Sequence, residues 1–187
     1  TIKDTAHQYH LIVTEEKIKE LIASLQSATE ICFDTETTNI DANEAELVGM
    51  SFSITPHEAH YVPVSAERKE AEILLQSFHQ LFNNSSITWV GQNLKYDLLV
   101  LKWYGIELKG NLCDTMLMHY VVEPEGKRSM DALSQQFLNY EPIHIDELIG
   151  KKTRKSSNNK IGELGLDAAS QKQGNMRRSE EHTSELQ

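Results

Sequence analysis

Three strand-like runs follow one another between residues 31 and 64, and no helical segment separates them. The middle run, Leu47 to Ile54, alternates Val48, Met50, Phe52 and Ile54 with Gly49, Ser51 and Ser53. A strand turns successive side chains to opposite faces, so this period of two predicts one apolar and one polar face. Ile31-Cys32-Phe33-Asp34-Thr35 precedes it and His60-Tyr61-Val62-Pro63-Val64 follows, with a turn at Pro56. Pro63 has no N–H for a ladder, which places it at an edge or a strand end. Short links between neighbouring runs predict an antiparallel meander.

Around this meander the periodicity changes to that of helices. Thr14 is a good N-cap, Glu15 and Glu16 favour the first turn, and Ile18, Leu21, Ile22 and Leu25 recur at helical spacing. Tyr9 to Val13 reads as an edge strand or lead-in. One helix is predicted over about residues 67–82, burying Ile73, Leu74, Phe78 and Leu81, and Ile87 to Gly91 forms a further buried strand. Asn93 caps the next helix, which carries Leu94, Leu98 and Leu101 and ends at Gly105. Two more helical stretches, Asp114–Val122 and Ser129–Leu138, flank the loop Glu123–Gly126. Three strands, helix, strand, helix is the order of a ribonuclease-H-like α/β fold with a mixed central sheet flanked by helices. On propensity alone it is one option among several.

The chain divides once. Nearly all large apolar residues lie in 10–150, whereas 151–187 is polar and rich in Gly, Ser, Asn and Lys. The reading is one domain over 1–150, a polar loop or disordered segment over 151–177, and a final stretch, 178–187, that resembles a translated sequencing adapter. The first residues carry no initiator Met and no signal-peptide core, as expected of a piece of a longer chain. Cys32 and Cys113 do not make a disulfide scaffold. No apolar run is long enough to span a bilayer, and a cytoplasmic location with no membrane partner is expected. Nothing signals an oligomer, so a monomer is expected.

The net charge of −10 argues against a simple electrostatic clamp on nucleic acid. The acids do suggest chemistry. Asp34 and Glu36 stand at i and i+2 where the first strand loses its apolar character, so both carboxylates share a face. Asn93 and Asp97 stand at i and i+4 of a helix, and Asp97 borders the apolar stripe and looks inward. Two like charges about 4 Å apart repel by roughly 4 kcal/mol at an effective dielectric near 20. A divalent ion reverses that sign, and hard oxygen ligands suit Mg²⁺ or Mn²⁺. Two such ions activate water for phosphodiester hydrolysis and stabilise the leaving oxygen. Taken singly, each motif is more simply a solvated strand end or a helix cap; together their spacing leaves function and the simpler reading about even.

The letters themselves carry more. Asp34-Thr35-Glu36-Thr37-Thr38 resembles the first exonuclease motif of the 3′→5′ proofreading domain of bacterial family A DNA polymerases (the DNA polymerase I family), and Gly91-Gln92-Asn93-Leu94-Lys95-Tyr96-Asp97 resembles its second. The similarity continues through Tyr104–Leu108, Cys113–Leu117 and Ser129–Leu133 to Glu147–Gly150, covering roughly residues 8–150. The resemblance implies the DnaQ-like exonuclease branch of the ribonuclease-H-like fold. It makes Asp34, Glu36 and Asp97 catalytic and metal-binding residues for two ions, Mg²⁺ or Mn²⁺, with Glu36 also near the terminal 3′ hydroxyl. Thr37 and Asn93 would bind the terminal nucleotide, whereas Asp114 is better read as a helix cap. The implied partners are single-stranded or frayed 3′ DNA ends and a C-terminal polymerase domain, in DNA replication and repair. The family's third motif, a Tyr (or His) four or five residues before an Asp, has no match here. Asp167 has Glu163 and Gly162 at those spacings, so truncation and impaired activity are expected. The alternatives are a non-catalytic domain supporting a polymerase, and a stand-alone exoribonuclease of the same superfamily.

Overall fold

The structure, a computed structural model, describes residues 5–143. The expectations for 151–177 and 178–187, and the matches at 147–150, lie outside the described residues. Six strands form one mixed sheet in the order β1-β4-β3-β2-β5-β6, with β1 at Gln8–Leu11, β2 at Glu30–Thr37, β3 at Leu47–Thr55, β4 at Glu58–Pro63, β5 at Thr88–Gly91 and β6 at Asn111–Asp114. β2, β3 and β4 are the expected antiparallel meander, while β1 joins β4, and β5 and β6 join beyond β2, all in parallel. Pro63 ends its strand, but β4 is internal because β1 covers its outer side.

Parallel neighbours need crossovers, and helices supply them. α1 (Glu15–Gln26) links β1 to β2. Thr14 caps it as the sequence predicts, its Oγ1 accepting from Lys17 N at 3.3 Å. α2 (Arg68–Ser77) and α3 (His79–Phe82) link β4 to β5, and α4 (Leu94–Trp103) links β5 to β6. α5 (Thr115–Val122) and α6 (Met130–Leu133) follow, the latter running into one turn of π-helix at Ser134–Leu138. Among the described residues, no helix is long and apolar enough to cross a membrane.

One hydrophobic core unites Leu21 and Leu25 of α1, Ala71 and Leu75 of α2, Leu81 and Phe82 of α3, and Val100 and Leu101 of α4 with Phe33, Phe52 and Trp89 of the sheet. Phe33 pairs across the ladder with Phe52, and Ile31 with Trp89, so these side chains share one sheet face. Phe52 stacks on Phe78 with centroids 5.5 Å apart, and Phe33 meets Trp89 edge-on at 5.8 Å. Offset and edge contacts of this kind add about 0.5–1.5 kcal/mol per pair beyond burial.

Four details depart from the sequence reading. The helix predicted over 67–82 breaks at Phe78, which ends α2 and begins α3. Phe78 and Leu81 are buried as expected, together with Ala71, Leu75 and Phe82, whereas Leu74 is only partly buried and Ile73 is 73% exposed. β3 is covered on both sides at its centre, because Ser51 and Ser53 are as buried as Met50 and Phe52, while Ile54 is partly exposed. β6 is a strand where the sequence showed none. Its four residues, with Asn111 and Leu112 exposed, are too short and too polar to display a period.

Candidate active site

Strand alternation divides β2. Ile31, Phe33 and Thr35 face the helices, and Cys32, Asp34 and Glu36 face the other way. Asp34 lies opposite Ser51 and Glu36 opposite Gly49 on β3, and a register shift between Glu36 and Thr37 ends the regular pairing there. Both partners are small, and the Tyr61 ring lies over Gly49, where a Cβ would collide with its phenol. Glu36 is buried and Asp34 half-buried.

Asp97 arrives from α4, in the helix's first turn, and is 2% exposed. The inward orientation read from its place beside the Leu94–Leu98–Leu101 stripe is what the structure has. Its Oδ1 accepts from the backbone N–H of Thr35 at 3.0 Å and from the Thr35 hydroxyl at 2.5 Å. The residue between the two strand acids therefore fastens the third acid to their strand. Sequence reasoning missed this role of Thr35; the one signal for it was its place inside Asp-Thr-Glu.

The electrostatics record the same convergence. Burial first, and then the charge of Asp34, push the Asp97 carboxyl well above the usual carboxylate range, while the two Thr35 hydrogen bonds pull against that rise. The Tyr96 phenol is also raised, chiefly by burial; Thr37 opposes this by its hydrogen bond, and the charges of Asp97, Glu36 and Asp34 add to the rise. All three carboxylates thus act on one neighbouring hydroxyl. Buried like charges of this kind mark a site that needs a cation or a proton.

Thr37 lies at the end of β2, where its hydroxyl meets the Tyr96 hydroxyl at 2.5 Å and lies 3.0 Å from Asn39 O. Tyr96 itself donates to Asn39 O. Trp103 Nε1 donates to Ala42 O at 3.1 Å, and Leu47 N to the Tyr104 hydroxyl at 3.0 Å. Three aromatic residues of α4 and its C-cap therefore hold the segment that joins β2 to β3. None of the three was singled out in the sequence for this.

Asn93 stands at the N-cap position of α4 but does not cap it. Its backbone is left-handed, with φ 61°, and its side chain makes no capping bond. Its N–H instead donates to Asp114 Oδ1 at 3.1 Å. The same oxygen accepts from Met116 N at 3.0 Å and Leu117 N at 3.1 Å, so Asp114 caps α5 as predicted and ties the turn before α4 to β6. Gly91 makes the turn possible. A Cβ there would lie 2.5 Å from Leu94 Cδ2 and 2.8 Å from Phe33 O.

The expected residues thus fall into one group, Asp34, Glu36 and Asp97, with Thr37 beside it through Tyr96 and Asn93 one turn before Asp97. Oxygen ligands alone make the trio suitable for a hard divalent ion.

A model of the 3′–5′ exonuclease family matches residues 9–162. DNA polymerase I of Borreliella burgdorferi is 34% identical over 154 residues, which cover 81% of this chain and 17% of that protein. The chain thus spans about a sixth of the length of such relatives. Among solved structures, Trypanosoma brucei RNase D superposes with a TM-score of 0.65 at 15% identity, covering 94% of this chain and 62% of that one. Brucella melitensis NrnC with bound Mg²⁺ gives 0.55 at 14%, covering 96% and 80%. These two likenesses show the fold, which is the ribonuclease-H-like one. The match spans both motifs whose acids the fold brings together at the end of β2, and the chain belongs to the 3′–5′ exonuclease family of the family A DNA polymerases.

Proposed function

We propose that this chain is a metal-dependent 3′→5′ exonuclease domain that removes 3′-terminal deoxynucleotides for proofreading, within a polymerase whose catalytic domain lies C-terminal to it. The observation that carries this reading is the buried Asp97, pinned by Thr35 to the strand that bears Asp34 and Glu36. Its raised protonation range fits a group built to receive a cation. Asp34, Glu36 and Asp97 would hold two ions, Mg²⁺ or Mn²⁺, and the similar Brucella melitensis NrnC has been solved with bound Mg²⁺. Such ions supply a lowered pKa for a bound water and charge stabilisation at the leaving 3′ oxygen.

The residues of the chain do the positioning. Thr35 fixes the Asp97 carboxyl through Oδ1, and Glu36 stands on the face of Asp34 to meet the terminal 3′ hydroxyl. The Asn93 side chain, which takes no part in capping, and Thr37 flank the acids and would bind the terminal nucleotide. A duplex end would have to fray to reach carboxylates this deep, which favours single-stranded ends.

The test is shortening of a 5′-labelled single-stranded DNA by the 187-residue chain with Mg²⁺ or Mn²⁺, beside Asp34→Ala. Slow, metal-dependent laddering abolished by the substitution is expected, since no Tyr-and-Asp pair matches the third motif. No laddering by the folded chain would fit the unmatched third motif, and continued silence from a folded domain with that motif restored from an intact gene overturns the reading. The solved structures named RNase D support a second reading, an exoribonuclease. RNA shortened faster than DNA of equal sequence would favour it.

A further inference from the structure

A second cluster of ligand-type side chains lies at the rim of the sheet, away from the acids. His10 of β1 is register-paired with His60 of β4, so both imidazoles leave the sheet on one face. Their rings stack with centroids 4.8 Å apart and planes 23° from parallel. Glu58 stands two residues before His60 on the same strand and so shares its face. Glu58 Oε1 lies 3.0 Å from His10 Nε2 and 3.8 Å from His60 Nε2. Among the described residues, this is the one group of three or more His, Cys, Asp or Glu whose ligand atoms all stand within 4.8 Å of one another. The acidic trio on β2 and α4 is not so closely drawn.

These spacings suit a metal. Zinc binds imidazole nitrogen at about 2.0–2.1 Å and carboxylate oxygen at about 2.0–2.2 Å, in a tetrahedron. Ligand atoms around such an ion stand roughly 3.4 Å apart, between the two distances found here. His60 has a further need. Its Nδ1 is buried without a hydrogen bond, although buried ring nitrogens are nearly always partnered. With a cation on Nε2, Nδ1 would carry the ring's proton, the tautomer usual for metal-bound histidine.

A pocket of about 240 Å³ opens beside the two rings, with Lys17, Glu20 and Ser24 of α1 also on its wall. Glu20 adds a second carboxylate there and Lys17 an opposing charge. Three protein ligands leave a fourth position of the tetrahedron, and the pocket gives it room for water.

We propose that His10, Glu58 and His60 form a transition-metal site, suited to Zn²⁺, that clamps β1 to β4 independently of the acidic site. Two imidazoles and one carboxylate select a borderline ion over Mg²⁺, whereas the oxygen-only trio does the reverse. The site is built across a parallel strand pair and makes the seating of β1 on the sheet edge depend on metal.

The test is Zn²⁺ binding by the metal-stripped 187-residue chain, read by competition with a chromophoric chelator in excess Mg²⁺. His10→Ala, Glu58→Gln and Asp34→Ala are measured beside the unaltered chain. His10 and Glu58 are 42% and 35% exposed, so both changes leave the core intact, and near-ultraviolet circular dichroism of the metal-free variants checks this. One Zn²⁺ per chain is expected, retained by Asp34→Ala and bound at least tenfold more weakly by His10→Ala and Glu58→Gln. Zn²⁺ should raise the melting temperature of the unaltered chain and not that of His10→Ala. Equal affinity in His10→Ala and the unaltered chain overturns the proposal, and so does loss of the bound ion in Asp34→Ala alone.

Discussion

At the scale of single residues, Asp97 carries the sharpest consequence. Its carboxyl protonates in the folded chain at a pH above that of the unfolded chain, because burial and Asp34 disfavour its charge. The unfolded chain therefore loses this proton first as pH rises. Asp97 costs no stability below about pH 4, where both states are protonated, and an increasing amount as pH climbs towards its folded range. Asp97→Asn keeps an oxygen for the two Thr35 donors and removes the charge. Thermal melts in chelator should show the variant more stable by roughly 0.5–2 kcal/mol at pH 8, with no advantage near pH 4. The same variant should lose the Mg²⁺- or Mn²⁺-induced rise in melting temperature. A variant less stable than the parent at pH 8 would count against an uncompensated charge at this position. The acids were legible in the sequence because carboxylates at a strand end and beside a helix's apolar stripe obey local periods. The part played by Thr35 was not, since its partner is 62 residues away and the hydrogen bond follows no period.

At the scale of elements, what decides the site is the junction of β5 and α4. Gly91 lets Leu94 and the Phe33 backbone close on that turn, and a methyl group would force them apart. Gly91→Ala is expected to cost about 1–3 kcal/mol and to shift α4 enough to loosen the Thr35–Asp97 bonds. Denaturant unfolding measures the first effect and metal affinity the second; an unchanged midpoint would mean that the turn relaxes freely. α2 and α3 break at Phe78, whose ring fills the centre of the core against Phe52 and Phe82. Phe78→Ala should cost about 3–5 kcal/mol, read by the same unfolding curve. Sequence periodicity found nearly every element but misjudged this helix pair. Ile73 fits a helical stripe as well as Leu75 does, and only the tertiary environment tells the buried line from the exposed one. β6 escaped notice for a related reason: Asn111–Asp114 is a strand because β5 offers it a ladder, not because its residues favour one.

At the scale of the whole molecule, the described helix that follows β6 stands apart. Leu117, Met118, Tyr120, Val121 and Val122 of α5 are all at least half exposed, as is Phe137 beyond it. Apolar surface of this extent favours association. Val121→Lys with Val122→Gln should leave the melting temperature nearly unchanged, since surface changes fall within about 0.5 kcal/mol, and should raise solubility and reduce binding of an apolar dye. A large fall in melting temperature would show instead that these residues are covered. The pairing of β1 with β4, and with it the meeting of His10 and His60, was beyond sequence reading, because strand register between segments 50 residues apart is a global property. The acids have a similarly global origin. Asp34 and Glu36 belong to a meander that needs only neighbouring chain, yet Asp97 reaches Thr35 only after α2, α3 and β5 have been laid down between them. Contacts so distant in sequence form late and slowly, after the loop entropy between them has been overcome. During synthesis the nascent chain therefore displays two carboxylates and no completed trio. Nucleolytic capacity would switch on as a late event of folding, and a partly folded copy would be harmless to nucleic acid.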